Sequence, residues 1–218
     1  MAMSSTTPVG LDVQQSKHRG GWHVRKVVLY TLTSLDGAVD DPNRYFPRAD
    51  SDVAGPPEFD PLMIDLEARL IGNQDAVLLG RNMFDAWSQY WPTSDEQPFA
   101  DFINGVKKYV VTSRPLTNSW GDAEAVAAPV ADVVRDLKAR PGSDIGVHGS
   151  IELAQSLLAA GLIDELRLLI GPVLDPTGRR LFQHLDTSRR LELRSATPTP
   201  SSSVWLAYRL LTGEKHAY

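Results

Sequence analysis

Downstream of Arg25 the apolar residues fall into short β-branched and aromatic runs, each followed by a segment of helical period. The run KVVLYTLTSL from Lys26 to Leu35 breaks at Asp36-Gly37, which predicts a buried strand closed by a tight turn. A polar stretch with Pro42, Pro47, Pro56 and Pro57 follows. Proline fixes φ and lacks an N–H, so this stretch reads as a loop, long enough to be a candidate lid. Asp60-Pro61 predicts a helix start, with the carboxylate as cap and proline at the first helical position; Leu62, Leu66 and Leu70 then recur on one face up to about Gly72.

The same alternation continues down the chain. Ala76 to Leu79 predicts a short buried strand that passes at Gly80-Arg81 into a helix carrying Met83, Phe84 and Trp87. Helix, strand, helix, strand and helix are then expected over Phe99 to Val106, Lys108 to Thr112, Val130 to Ala139, Ile145 to Val147 and Ile151 to Ala160. Glu165 to Ile170 is a further strand. The runs Leu191 to Ala196 and Ser203 to Leu211, flanking PTPSSS, predict a hairpin whose Trp205 and Tyr208, three residues apart, face opposite sides. The order implies an α/β domain in three αβα layers, with a mostly parallel mixed sheet and a C-terminal antiparallel hairpin. Residues 1–24, polar and without hydrophobic period, read as a flexible leader, and residues 25–213 as one domain.

Composition narrows the function. With 42% hydrophobic and 22% charged residues, the 218-residue chain can bury a substantial core. Lys plus Arg is 22 against 27 for Asp plus Glu; a net charge of -5 gives no basic field for a nucleic-acid backbone. Without cysteine there is no disulfide, thiolate nucleophile or thiolate metal site. No apolar run approaches the roughly 20 residues of a membrane helix, and no signal-peptide core precedes Gly21, so a cytoplasmic protein without membrane association is expected.

Three predicted strand-to-helix junctions carry candidate chemistry, because helix N-terminal N–H groups there favour anions. Gly80-Arg81 pairs a glycine that allows close approach with a guanidinium that can fork onto phosphate oxygens. Thr112-Ser113-Arg114 offers two hydroxyls and another guanidinium, and His148-Gly149-Ser150-Ile151 offers a glycine at a helix mouth with Ser150 as cap. Each junction alone also reads as a turn glycine or a solvated charge; their succession along one sheet outlines a polyanion site. GxGxxG and GxxxxGK[ST] are absent, as is the GxSxG elbow of serine hydrolases. The histidines show no metal-ligand spacing. His148 either donates to a substrate oxygen or serves as a half-buried spacer.

SLDG at Ser34 to Gly37, DAVLLGR at Asp75 to Arg81, KYVVTSR at Lys108 to Arg114, VHGS at Val147 to Ser150, GLIDEL at Gly161 to Leu166 and GPVLDPTGRRLF at Gly171 to Phe182 occur in that order. Together they resemble the reductases related to dihydrofolate reductase, specifically the group containing the C-terminal reductase domain of the riboflavin-biosynthesis deaminase-reductase. The resemblance implies a dihydrofolate reductase-like fold and a stand-alone, homodimeric reductase that carries hydride from NADPH to a small pyrimidine or pterin-like heterocycle. It implies that Gly80, Arg81, Thr112, Ser113 and Arg114 hold the adenosine 2′-phosphate and its surroundings. Gly149, Ser150 and Ile151 would present N–H groups to the diphosphate, and Thr31 and Val39 would border the nicotinamide. Candidate proton donors are Asp36, for which backbone capping is the favoured role, Asp65 on the helix that carries the pterin-binding carboxylate in dihydrofolate reductases, and His148. Two positions depart from the pattern: Gly149-Ser150 replaces a Gly-Gly pair, and Met83 stands where threonine is usual.

Overall fold

The structure, a computed structural model, describes residues 24–46, 58–183 and 185–211. In chain order its regular elements are β1 (Val27–Ser34), α1 (Pro42–Tyr45), α2 (Pro61–Ile71), β2 (Gln74–Gly80), α3 (Arg81–Tyr90), α4 (Phe99–Gly105), β3 (Lys107–Val111), β4 (Ala123–Val126), α5 (Val130–Ala139), β5 (Asp144–His148), α6 (Ile151–Ala159), β6 (Glu165–Gly171), β7 (Leu191–Pro198) and β8 (Val204–Leu210), with one 3₁₀ turn at Trp91–Thr93. The strands form one sheet in the order β4-β3-β2-β5-β1-β6-β8-β7. All pairings from β4 to β6 are parallel, and β8 is antiparallel to both β6 and β7. β1 lies between β5 and β6 and is covered on both faces, which accounts for its nearly unbroken apolar sequence.

Side-chain alternation divides the core by sheet face. Val27 and Leu29 of β1, Ala76 and Leu78 of β2, and Ile145 and Val147 of β5 pack with Val133, Leu137, Leu153 and Leu157 of α5 and α6. From the other face Val77 and Leu79 pack against Phe84 of α3 and Ile103 of α4, while Tyr30 meets Met63 of α2 and Trp205 of β8. Three layers result, as the sequence implies. Trp205 stacks on Tyr30 at 5.2 Å between ring centroids, while Tyr208 packs on the opposite core, so the pair does point to opposite faces.

The start of α2 follows the sequence closely. Asp60 Oδ1 accepts from the N–H groups of Leu62 and Met63 at 2.9 and 3.0 Å, with Pro61 leading the helix. Its buried stripe needs correction: it runs through Met63, Glu67 and Ile71, one position beyond Leu62, Leu66 and Leu70. Leu66 and Leu70 pack only from the flank, and a glutamate occupies the centre of the buried face.

β4 and α1 were not anticipated. β4 is a short edge strand, half-exposed, of sequence AEAV, and carries almost no hydrophobic alternation; its place is fixed by β3, whose Lys108 N–H donates to Asp122 O at 2.8 Å. The candidate lid is replaced at Pro42 by the first residue of α1, and residues 47–57 lie outside the described residues, as does the leader except Val24. Among the described residues no helix is long and apolar enough to cross a membrane.

Candidate active site

β2 runs directly into α3, and β5 turns through Gly149 and Ser150 into α6, so two adjacent parallel strands deliver two helix N-termini to one edge of the sheet. Gly149 has φ +64°, and a Cβ there would lie 2.5 Å from Trp87; glycine is required both for the left-handed turn and for the close packing. Ser150 departs from its expected role. Its hydroxyl does not cap α6 but accepts from the Gly80 N–H at 2.9 Å, tying the two junctions together. Neither α3 nor α6 has a side-chain cap, so the N–H groups of their first turns remain available. They border a cavity of about 450 Å³ lined by Gly80, Arg81, Gly149, Ser150, Ile151 and Arg179, among others. Uncapped amides of two helices at one cleft suit a diphosphate.

Gly149 also lines a second cavity, of about 700 Å³, which contains Thr31 and Val39 in its wall. Its aromatic side is built by Trp87 and Tyr90 of α3, Trp91 of the 3₁₀ turn and Phe99 of α4, with Phe59 ahead of α2. Thus Thr31, Val39, Gly80, Arg81, Gly149, Ser150 and Ile151 come together on two adjoining cavities. Thr112, Ser113 and Arg114 follow β3 next to Val111, which lines the smaller cavity, but do not line either cavity themselves. Thr112 Oγ1 accepts from the Arg114 N–H at 3.2 Å, closing a turn that leaves Ser113 and Arg114 exposed. Arg81 is already engaged: Nε meets both Asp85 oxygens at 2.8 and 2.7 Å, Nη1 donates to Pro115 O at 2.8 Å, and Nη2 to Thr117 Oγ1 at 3.3 Å. Its charge is largely balanced by Asp85, one helical turn away, and its guanidinium braces the loop after β3.

None of the three sequence-derived proton donors is placed to give up a proton in the larger cavity. Asp36 accepts from the Ser34 hydroxyl at 2.6 Å, the Asp175 N–H at 2.9 Å and Arg180 Nη2 at 2.9 Å. Foremost the Ser34 hydroxyl, then the Asp175 amide and Arg180, hold its carboxyl well below the usual carboxylate range. It stays ionised and performs the capping role. Asp65 faces solvent in an ion pair with Arg69 at 2.8 Å. Asp65→Asn is expected to leave turnover within about twofold, since exposed pairs of this kind contribute little; a steady-state assay checks this.

His148 lies in the wall of the larger cavity yet is only 2% exposed, enclosed by the rings of Tyr30, Phe99 and Phe102. Burial pushes its pKa down to about 3, so the ring is neutral at physiological pH. Nε2 contacts Gln74 Oε1 at 2.8 Å and Nδ1 has no partner among the described residues. It is a core histidine rather than an acid.

Among the carboxyls that line the cavity, the most deeply buried is Glu67, which the sequence reading missed. Two positions after Asp65, it lies on the inner face of α2, 7% exposed, in the wall of the larger cavity. Burial pushes its pKa up to about 7; Glu96 nearby adds to the rise, and the Tyr30 hydroxyl, which donates to it, opposes it. A carboxylic acid half-protonated near neutrality beside a cavity is a candidate general acid. A signal was available: Glu67 falls four residues after Met63 and four before Ile71, in phase with the apolar stripe and out of phase with a solvated face. Glu96, whose pKa burial also raises, receives a hydrogen bond from Tyr90 on the same wall.

Residues 25–204 match the RibD C-terminal domain family, and the chain belongs to that family. It is 30% identical over 188 residues to YyaP, an uncharacterized protein of Bacillus subtilis, covering 83% of this chain and 92% of the relative. Among solved structures it is similar to a putative riboflavin biosynthesis protein from Shewanella sp. PV-4, with a TM-score of 0.64 and 21% identity over 85% of this chain and 99% of the other. It is also similar to the dihydrofolate reductase of Enterococcus faecalis complexed with NADP(H), with a TM-score of 0.54 and 13% identity over 85% and 96% of the two chains. The fold expected from the ordered motifs is therefore the fold of the chain.

Proposed function

We propose that this chain is an NADPH-dependent reductase that transfers hydride to a C=N or C=O group of a small nitrogen heterocycle, with Glu67 as the proton donor. The reading rests chiefly on one observation: a buried carboxyl with pKa near 7 lines an aromatic cavity that adjoins, through Gly149, a cleft fronted by two uncapped helix N-termini. Family membership and the likeness to a dihydrofolate reductase complexed with NADP(H) support it.

The cofactor, when bound, supplies the hydride. The residues of this chain supply the rest. First-turn amides of α3 and α6 would hold the diphosphate, the exposed Arg114 would meet the 2′-phosphate, and Thr31 and Val39 would border the reduced ring. Trp87, Trp91 and Phe99 offer flat apolar faces that exclude water from a planar substrate. Glu67 holds a proton on its carboxyl oxygen and passes it to the substrate nitrogen or oxygen that gains the electron pair, while Tyr30 fixes the carboxyl by its hydrogen bond.

Binding of NADPH and NADH by the wild type, Arg81→Ala and Arg114→Ala tests the cofactor assignment. Arg114→Ala is expected to cost about 1.5 to 3 kcal/mol with NADPH and little with NADH, the value of a charge-assisted phosphate contact. Arg81→Ala is expected to weaken both cofactors, because it releases the loop at Pro115 and Thr117 that its guanidinium holds. Equal weakening of both cofactors by Arg114→Ala would show that this arginine does not read the 2′-phosphate. A homodimer belongs to the same proposal, and sedimentation equilibrium measures it directly.

A further inference from the structure

None of the described residues of the C-terminal hairpin, β7, β8 and the turn between them, lines either cavity, yet the hairpin reaches the surroundings of Glu67 at two points. The first is the start of α2. Asp60 uses Oδ1 for the cap, while Oδ2 accepts from the Ser201 hydroxyl at 2.8 Å and from the Ser201 N–H at 3.2 Å. Thr199 adds a side-chain hydrogen bond to the same carboxylate, and the Ser201 hydroxyl lies 3.8 Å from Met63 Sδ, one helical turn before Glu67. The hairpin turn is itself closed by the Thr199 N–H donating to Ser203 O at 2.9 Å and the Ser202 N–H to Thr199 O at 3.1 Å. The second point is Trp205 of β8, which stacks on Tyr30, the residue whose hydroxyl donates to Glu67.

Resting on the reductase reading above, we propose that the hairpin is the platform that positions the proton donor: its turn latches the first turn of α2 through Asp60, and Trp205 backs Tyr30. Asp60, Ser201 and Trp205 are then positioning residues, which hold Glu67 without touching substrate or cofactor. Glu58, Phe59, Ile64 and Glu67, all within two helical turns of Asp60, line the larger cavity. Slack at Asp60 therefore admits water along that wall, and a carboxyl stays protonated near neutrality only while water is kept from it. The other titratable groups in the wall are Tyr30 of β1, Glu58 ahead of α2, Tyr90 of α3, Glu96 ahead of α4 and His148 of β5. Thr199 and Ser201 are uncharged, so removing their hydroxyls acts on Glu67 through position and hydration and leaves every one of these charges, and that of Asp60, in place.

The experiment uses the full chain labelled with carbon-13 at the glutamate side-chain carboxyls and follows the Glu67 signal by NMR across its titration, well below the melting temperature. Glu67→Gln assigns the signal by removing it. The wild-type midpoint is expected near 7. Ser201→Ala should lower it by about 0.5 or more, and Thr199→Val combined with Ser201→Ala by about 1 or more, as hydration returns the carboxyl toward its ordinary value. Ser201→Thr keeps the hydroxyl and should hold the midpoint within about 0.2 of the wild type. Leu137→Ala opens a cavity in the core on the other face of the sheet, so it destabilises the fold without slackening the latch and should leave the midpoint in place. A midpoint unmoved in the double variant, or moved as far by Leu137→Ala, overturns the proposal. A wild-type midpoint near 4.5 removes Glu67 as the proton donor and the hairpin's role with it, whereas a wild-type midpoint near 7 that the hairpin variants do not move removes only the hairpin's role. Quenching of protein fluorescence by NADPH, measured on the wild type, tests the cofactor side of the reductase reading separately.

Discussion

Replacing Glu67 with glutamine is expected to lower kcat/KM by about a hundredfold to ten-thousandfold, the usual range for loss of a positioned general acid, while NADPH binding changes little. Glutamine keeps the size of the side chain and can still accept from Tyr30, so the cavity wall survives and only the transferable proton is removed. In the wild type the pKa of about 7 sets the pH profile: the chemical step is fastest where Glu67 is protonated and falls by about tenfold per pH unit above pH 7. The variant should have lost that limb. A residual rate that still declines above pH 7 in Glu67→Gln would assign the proton to another group.

The same shift makes a stability prediction of definite sign. In the unfolded chain the carboxyl titrates near 4.5, and in the folded protein near 7. Between these values the unfolded state has released a proton that the native state still holds, so stability falls as pH rises from about 4.5 to about 7 and then levels off. At about 1.4 kcal/mol per pH unit the loss is on the order of 3 kcal/mol. Asp36 and Glu165, whose carboxyls are held low in the fold, act in the opposite direction over a more acid range. The difference between wild type and Glu67→Gln in urea unfolding free energy across pH 4 to 8 therefore isolates the glutamate.

How far the chain could be read in advance follows from what sets each feature. Strands buried on both faces and helices with strong punctuation are local properties of the sequence: Lys26 to Leu35 anticipated Val27–Ser34, and Asp60-Pro61 fixed the first residue of α2. Gly80 and Gly149 marked the two strand-to-helix turns because their neighbours switch period there. Ala123–Val126 escaped because an edge strand of small and acidic residues is specified by its partner β3, not by its own pattern. Candidate site residues divide in the same way. Gly80, Gly149, Ser150 and Ile151 fall at strand-to-helix junctions bordering one cavity, and such positions are legible because turns and helix starts are written locally. Side-chain roles depend on long-range partners: Asp36 on Asp175 and Arg180, His148 on Tyr30 and Phe99, Ser150 on Gly80. Two clues were nonetheless local, the i, i+4 spacing of Arg81 and Asp85 and the phase of Glu67 within α2.

Gly149→Ala is expected to destabilise the fold by about 2 to 5 kcal/mol, from two separable causes. An alanine at φ +64° is strained by roughly 1 kcal/mol or somewhat more, and its Cβ, 2.5 Å from Trp87, forces the indole or the α6 entry to move, an overpacking cost of about 1 to 3 kcal/mol. For a chain of this length the melting temperature should fall by roughly 5 to 15 °C. Trp87→Leu in the Gly149→Ala background separates the two: it should recover the packing part and leave the backbone strain, giving a coupling energy of at least about 1 kcal/mol in a double-mutant cycle. Function should follow the geometry. Gly149 is in the wall of both cavities and Trp87 in the wall of the larger one, so an indole displaced by the new methyl group enters the space assigned to the substrate, while a displaced α6 entry moves amides away from the diphosphate. NADPH binding to Gly149→Ala below its melting temperature tells these apart: a loss of affinity locates the movement in α6, and unchanged affinity with raised KM locates it in Trp87. A destabilisation under about 0.5 kcal/mol would mean that neither the left-handed turn nor the indole contact constrains the junction, and the two helix mouths would then lack the rigid spacing that a diphosphate site requires.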